Sequence, residues 1–168
     1  MGYVVFDTDT MAKTIMDNSD RIKAEIVRLF GPETITANAI NRPVLANIVF
    51  NDSSKLEALN KTVHSAVIES LLTKYAEIDD KIIFAETSIV YQCGLDKYCD
   101  CLWEVTAPND LRVSRVMKRN SVSADDVRKR IAAQIFTPSQ PHPHVYIIVN
   151  DDITPLLPQI NFLLAGLT

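Results

Sequence analysis

Short apolar runs alternate along this chain with longer stretches in which apolar side chains recur every third or fourth position. That alternation predicts an α/β fold on a largely parallel sheet flanked by helices, because parallel strands need helical crossovers between them. Four strands are predicted, at residues 3–6, 81–85, 101–105 and 145–149. The second, from Ile82, and the fourth are continuous apolar runs rather than alternating ones, the pattern of strands covered on both faces. Between the first two strands, residues 21–30 and 53–75 have helical spacing. The first of these stops at Gly31-Pro32, and Leu56, Leu59, Val63, Val67 and Leu71 form a stripe along the second, assigned to the core. After the third strand, Pro108 opens a helix through residues 111–119. Leu111, Val113, Val116 and Met117 can face inward there, and Arg112, Arg115 and Arg119 share the other face. Ser123 with Asp126 three residues on is a capping-box-like start for a further helix carrying Val127, Ile131 and Ile135. Three prolines within 137–144 then enforce a loop before the last strand.

At 168 residues, 47% hydrophobic and 23% charged, the chain fits one compact domain with a sizeable core. No repeat, low-complexity tract or second domain interrupts it, so residues 1–168 are expected to form a single domain. A net charge of −4 argues against a nucleic-acid or anionic-membrane partner. No stretch approaches the ~20 apolar residues of a membrane span, and no basic-then-apolar leader opens the chain. A soluble cytoplasmic protein is therefore expected. Cys93, Cys99 and Cys101 are odd in number and lack a metal-ligand spacing, so they are expected to be reduced, mostly buried thiols, and no metal site is assigned.

Candidate chemistry begins where the first strand ends, at Asp7-Thr8-Asp9. Strand-tip aspartates suit a reacting hydroxyl, a phosphoryl group or Mg²⁺, because strand ends in an open α/β sheet face the ligand crevice. The structural alternative is that they cap a helix running on from Thr10. A second candidate is the stretch from Arg112 to Arg130, with seven Lys and Arg against two Asp. Such stripes are commonly solvated helix faces, but three arginines just past a strand tip can also bind phosphate oxygens. His64 lies on the apolar helix and reads first as structural, while His142 and His144 are too isolated for a metal site. With glycine only at positions 2, 31, 94 and 166, the sequence contains no Walker A loop, G-x-G-x-x-G or G-x-S-x-G.

Locally, Val4-Val5-Phe6-Asp7-Thr8-Asp9 resembles the first motif of haloacid-dehalogenase-type Mg²⁺-dependent phosphatases. That likeness implies Asp7 as nucleophile and Asp9 as acid and base, with Lys118 and Asp151-Asp152 completing the site. Over its whole length the chain resembles the dephospho-CoA kinase family of P-loop kinases. The likeness runs from Gly2-Tyr3-Val4-Val5-Phe6-Asp7-Thr8-Asp9 through Leu29-Phe30-Gly31, Asn41-Arg42-Pro43-Val44-Leu45-Ala46-Asn47 and Leu59-Asn60-Lys61-Thr62-Val63-His64. It is densest from Ala107-Pro108-Asn109-Asp110-Leu111-Arg112 through Arg115-Val116-Met117-Lys118-Arg119 to Arg130-Ile131-Ala132-Ala133-Gln134.

This second resemblance implies a P-loop kinase-like three-layer fold lacking its first strand, P-loop and first helix, with that strand belonging between the second and third strands seen here. It implies ATP-dependent phosphorylation of the ribose 3′-hydroxyl of dephospho-CoA, with ATP and Mg²⁺ serving the full-length enzyme. Asp9 becomes the catalytic base, Arg115 and Arg119 bind phosphate or nucleotide, and Asp7, Arg42 and His64 lie on the acceptor side. A helical acceptor-side region is expected at about 19–75 and a lid at about 120–144. Because the sequence carries no phosphate cradle, the chain is expected to be truncated and inactive alone; a non-catalytic degenerate paralogue is the remaining alternative.

Overall fold

The structure, a computed structural model, describes residues 2–80, 82–133 and 136–167. Lys81, expected to open the second strand, and Gln134 and Ile135, expected to end the helix after Ser123, lie outside the described residues. The chain divides into two compact units, Met1–Leu95 and Asp96–Thr168.

In the first unit, β1 (Val4–Asp7) runs parallel to β4 (Ile83–Glu86), with Val4 opposite Ile83 and Asp7 opposite Glu86. Between them come α1 (Thr8–Asn18), α2 (Asp20–Phe30), the hairpin β2 (Ile35–Thr36) and β3 (Ala39–Ile40), α3 (Arg42–Phe50) and the long α4 (Ser53–Ala76). Each helix start carries a sequence cause. Asp7, Ser19, Asn41 and Asp52 are N-caps whose side chains accept from backbone amides of the first turn. At the other end of α2, Gly31 stops the helix at φ 99°, a left-handed angle that favours glycine. The hairpin turns through Ala37 and Asn38, both at positive φ as a tight two-residue hairpin turn demands.

These helices enclose one core. Ile22, Ile26 and Phe30 of α2 pack with Ile40, with Leu45 and Val49 of α3, and with Ala66 of α4. Ile26 is fully buried, at 0% exposure. The predicted stripe on α4 is borne out at Val63, Val67 and Leu71, which are buried. The unit closes with the short helix α5 (Val90–Cys93) and the left-handed Gly94.

The second unit pairs β5 (Leu102–Thr106) in parallel with β6 (Val145–Val149), Leu102 opposite Val145 and Thr106 opposite Val149. The crossover between them carries α6 (Asn109–Asn120) and α7 (Ala124–Ala133), and α8 (Leu156–Ala165) follows β6. Ser123 starts α7 as its spacing predicts: its hydroxyl accepts from the Asp126 amide at 3.2 Å and donates to the Asp126 carboxylate at 2.7 Å.

Three expectations need correction. The last strand is not covered on both faces, since Ile147 is 62% exposed. An apolar run records what a strand is suited to; within this unit β5 pairs beside β6 and the following α8 packs against it. Met117 is exposed rather than inward, because four apolar positions in seven residues cover more arc than one helix stripe buries. The cysteines are thiols without a disulfide, as expected, but they are half-buried rather than buried. Among the described residues, no helix is long and apolar enough to cross a membrane.

Candidate active site

The two units each present the carboxyl ends of a parallel strand pair, the place where open α/β sheets gather ligand-binding groups. In the first unit, β1 ends at Asp7 and α1 starts at the next residue, so Asp9 stands in the first helical turn rather than on the strand. Asp7 is committed to the cap. Its carboxylate accepts from the Thr10 amide at 3.0 Å and from the Thr10 hydroxyl at 2.6 Å. Those bonds, the hydroxyl's first, hold the Asp7 pKa below the ordinary carboxylate value. The buried Thr8 ties the same corner to β4, its hydroxyl donating to the Glu86 carbonyl at 2.9 Å. Asp9 is exposed, and its carboxylate bonds to no other described side chain. Of the two strand-tip acids, one therefore builds the corner and the other is left without a partner among the described side chains.

Arg42 and His64 are held elsewhere in this unit. Arg42 opens α3 and donates to the Asp17 carboxylate at 2.6 Å. Asp17 lies eight residues after Asp9 on α1, about 12 Å along the helix axis at 1.5 Å per residue. His64 is half-buried on α4, and burial pushes its pKa below the ordinary imidazole value, so the ring is neutral at pH 7. It bonds to neither aspartate.

In the second unit the strand tips are tightly tied. The Asn150 amide donates to the Thr106 carbonyl at 2.8 Å, extending the β5–β6 ladder by one bond. Gln159 of α8 clamps the end of β6: its carbonyl accepts from the Val149 amide at 2.8 Å and its amide donates to the Val149 carbonyl at 3.0 Å. Asp151 folds the following loop, accepting from the amides of Thr154 and Ile153 at 2.6 and 3.0 Å and from the Thr154 hydroxyl at 3.0 Å. These bonds, the Thr154 amide's first, lower the Asp151 pKa. Onto this tip reaches Arg115, whose Nη2 donates to Asn150 Oδ1 at 3.0 Å and to Asp152 Oδ1 at 2.5 Å.

The arginine stripe therefore does not act as one group. Arg112 and Arg119 bond only to neighbours in their own helix, Asn109 at 3.4 Å and Asn120 at 3.2 Å, and stay exposed. Arg115 alone of the three crosses to another element. Its partner Asn150 and the clamp Gln159 are what sequence reasoning missed, and Asp152 entered it only as a metal carboxylate of the phosphatase likeness. The available signal was their position: polar residues directly after an apolar strand that follows an arginine-bearing crossover helix. The loop at 137–144 is pinned to the start of β5, where His142 Nε2 meets the Cys99 carbonyl at 3.0 Å and His142 Nδ1 accepts from the His144 amide at 3.1 Å.

Comparison with known proteins decides between the two resemblances. A family model described as dephospho-CoA kinase matches residues 1–155. The chain belongs to the dephospho-CoA kinase family. A dephospho-CoA kinase of Bacteroides fragilis is 30% identical, the match covering 99% of this chain and 82% of the relative. One from Moorella thermoacetica is also 30% identical, over 80% of this chain and 66% of the relative, just under two thirds of its length. Among solved structures, a Thermus thermophilus protein superposes with a TM-score of 0.75 at 28% identity, covering 99% of this chain and 86% of its own. A dephospho-CoA kinase from Campylobacter jejuni shares the fold, with a TM-score of 0.62 at 19% identity over 98% of this chain and 83% of its own. The family displaces the phosphatase alternative, whose nucleophile Asp7 and metal ligand Asp151 are in any case taken up by Thr10 and Thr154.

Proposed function

We infer that this chain serves the ATP-dependent phosphorylation of the ribose 3′-hydroxyl of dephospho-CoA. The observation that carries this reading is the division of labour at the tip of β1. Asp7 is consumed by the helix cap, and Asp9 is left as an exposed carboxylate without an internal partner. Asp9 accepts the proton of the attacking hydroxyl and orients its oxygen, and phosphoryl transfer asks little more of the protein than positioning and charge neutralisation. Arg115 takes the developing phosphate charge, and Arg119 assists at the nucleotide. Arg42 and His64, in the helical region at about 19–75, serve the acceptor nucleotide, and α7 with its flanking loops, about 120–144, acts as the lid.

ATP enters this reaction with Mg²⁺, which neutralises the β- and γ-phosphates. Of the two acids at the tip of β1, Asp9 is the one open to such a group, because the Asp7 carboxylate is bonded to Thr10. A cytoplasmic location, where ATP and coenzyme A precursors meet, is part of this reading. Because these 168 residues contain no G-x-x-x-x-G-K-[ST] loop, the chain alone is expected to form no CoA from ATP and dephospho-CoA. Chromatographic detection of CoA made by the 168-residue chain would overturn that expectation. A protein carrying such a loop in frame ahead of Gly2 is expected to be active.

A further inference from the structure

We propose that Asp152 is a positioning residue that holds Arg115 latched in the absence of nucleotide, and that polyphosphate binding must displace it. A guanidinium offers two forked edges to an anion, one formed by Nη1 and Nη2 and the other by Nε and Nη2. Both edges share Nη2. In this chain the two hydrogens of Nη2 are directed to Asn150 Oδ1 at 3.0 Å and Asp152 Oδ1 at 2.5 Å. Nη1 and Nε bond to no described residue. Arg115 is thus left with single donors on either side and no complete fork, and a phosphate gains two-pronged contact only by releasing Nη2.

Of the two holders, Asp152 is the one an anion must compete with, because it carries the negative charge and makes the shorter bond. Its neighbour Asp151 is fully used in folding the loop, so the loop keeps its shape whether or not Asp152 lets go. Gln159 fixes the strand end independently. Asp152 itself sits at φ 65°, a left-handed angle that Asp tolerates and Gly adopts without cost. Replacing it removes the latch without asking the backbone for a new conformation.

This inference rests on the proposed role of Arg115 at phosphate, and the test separates the two. Binding of inorganic tripolyphosphate to the full 168-residue chain is measured by calorimetry at low salt for the parent, Asp152→Asn, Asp152→Gly, Arg115→Ala and the double variant Arg115→Ala/Asp152→Gly. The latch predicts binding about two- to fivefold tighter in Asp152→Asn and tighter again in Asp152→Gly, a direction that loss of a merely structural contact does not produce. The gain disappears when Arg115 is absent. If Arg115→Ala weakens binding but neither Asp152 variant tightens it, the latch is wrong and the phosphate role stands. If Arg115→Ala binds as the parent does, or no variant binds at all, both are overturned.

Discussion

The two units solve the same problem, supporting strand tips, with different means. In Met1–Leu95 a helical layer encloses its own core, from fully buried Ile26 on α2 to Leu45 and Val49 on α3 and Ala66 on α4. Among the described residues of Asp96–Thr168 the buried apolar ones are Val113, Val127, Ile148 and Leu164, while Val105 and Ile147 on the sheet and Phe162 on α8 are exposed, the last by 79%. Its order comes instead from side-chain bonds around the tip of β6, where Gln159, Asp151 and Arg115 fix successive residues. Burial stabilises without direction, whereas a hydrogen-bonded clamp costs little apolar area and sets positions closely. The first unit is built for stability and the second for geometry at a strand tip.

The largest test of that contrast is truncation in the two cores. Ile26→Ala is expected to cost ~2–5 kcal/mol in urea unfolding, because a fully enclosed site cannot collapse around the lost atoms. Like for like, Val49→Ala in the first unit is expected to cost more than Val127→Ala in the second, each losing two methyl groups, with Val127→Ala at about 1–2 kcal/mol. Equal costs would erase the distinction. Hydrogen exchange gives a sharper map: amides of β5 and β6 are expected to exchange sooner than those of α2 and α4, since few buried apolar contacts protect them. Uniform protection would contradict it.

Smaller effects come from titration within the first unit. The Asp7 carboxylate has a depressed pKa in the folded chain, so its cap stabilises above the unfolded value of about 3.9 and is lost as pH falls through the folded value. Asp7→Ala is therefore expected to reduce helix stability at pH 7 and to matter progressively less as pH falls below the unfolded value, read by circular dichroism. His64 acts in the same direction, from a different cause and in a higher pH window. Its folded pKa is lowered by burial, so the unfolded chain binds the proton more readily. Stability is complete above about 6.5 and declines as pH falls through that unfolded value. His64→Gln should flatten this slope, and an unchanged slope would place the titrating group elsewhere.

Much of the fold was legible because periodicity and caps agree. The stripe on α4, the Ser123 start of α7 and the strand at Val145–Val149 all rest on local pattern. The helix α3 was missed because Arg42-Pro43-Val44-Leu45 is short and its cap is an asparagine followed by proline, which also reads as a turn. The hairpin escaped because its left-handed turn uses Ala37-Asn38 rather than Asn-Gly. At the site, Asp9 was legible from its place beside a strand tip. That Asp7 would be spent on capping was weighed, but only the strand's end point decides it. The division among Arg112, Arg115 and Arg119 depends on which side chain reaches another element, and helical spacing carries no such information.

Transfer of phosphate from ATP to dephospho-CoA by a protein that carries a G-x-x-x-x-G-K-[ST] loop in frame ahead of Gly2, with and without Asp9→Asn, tests the central claim most directly. The account predicts that the parent forms CoA and that Asp9→Asn lowers the rate at saturating substrates by about 10²–10⁴-fold, the range of a positioned general base. ATP affinity should be nearly unchanged. An Asp9→Asn protein that turns over as fast as its parent would contradict it.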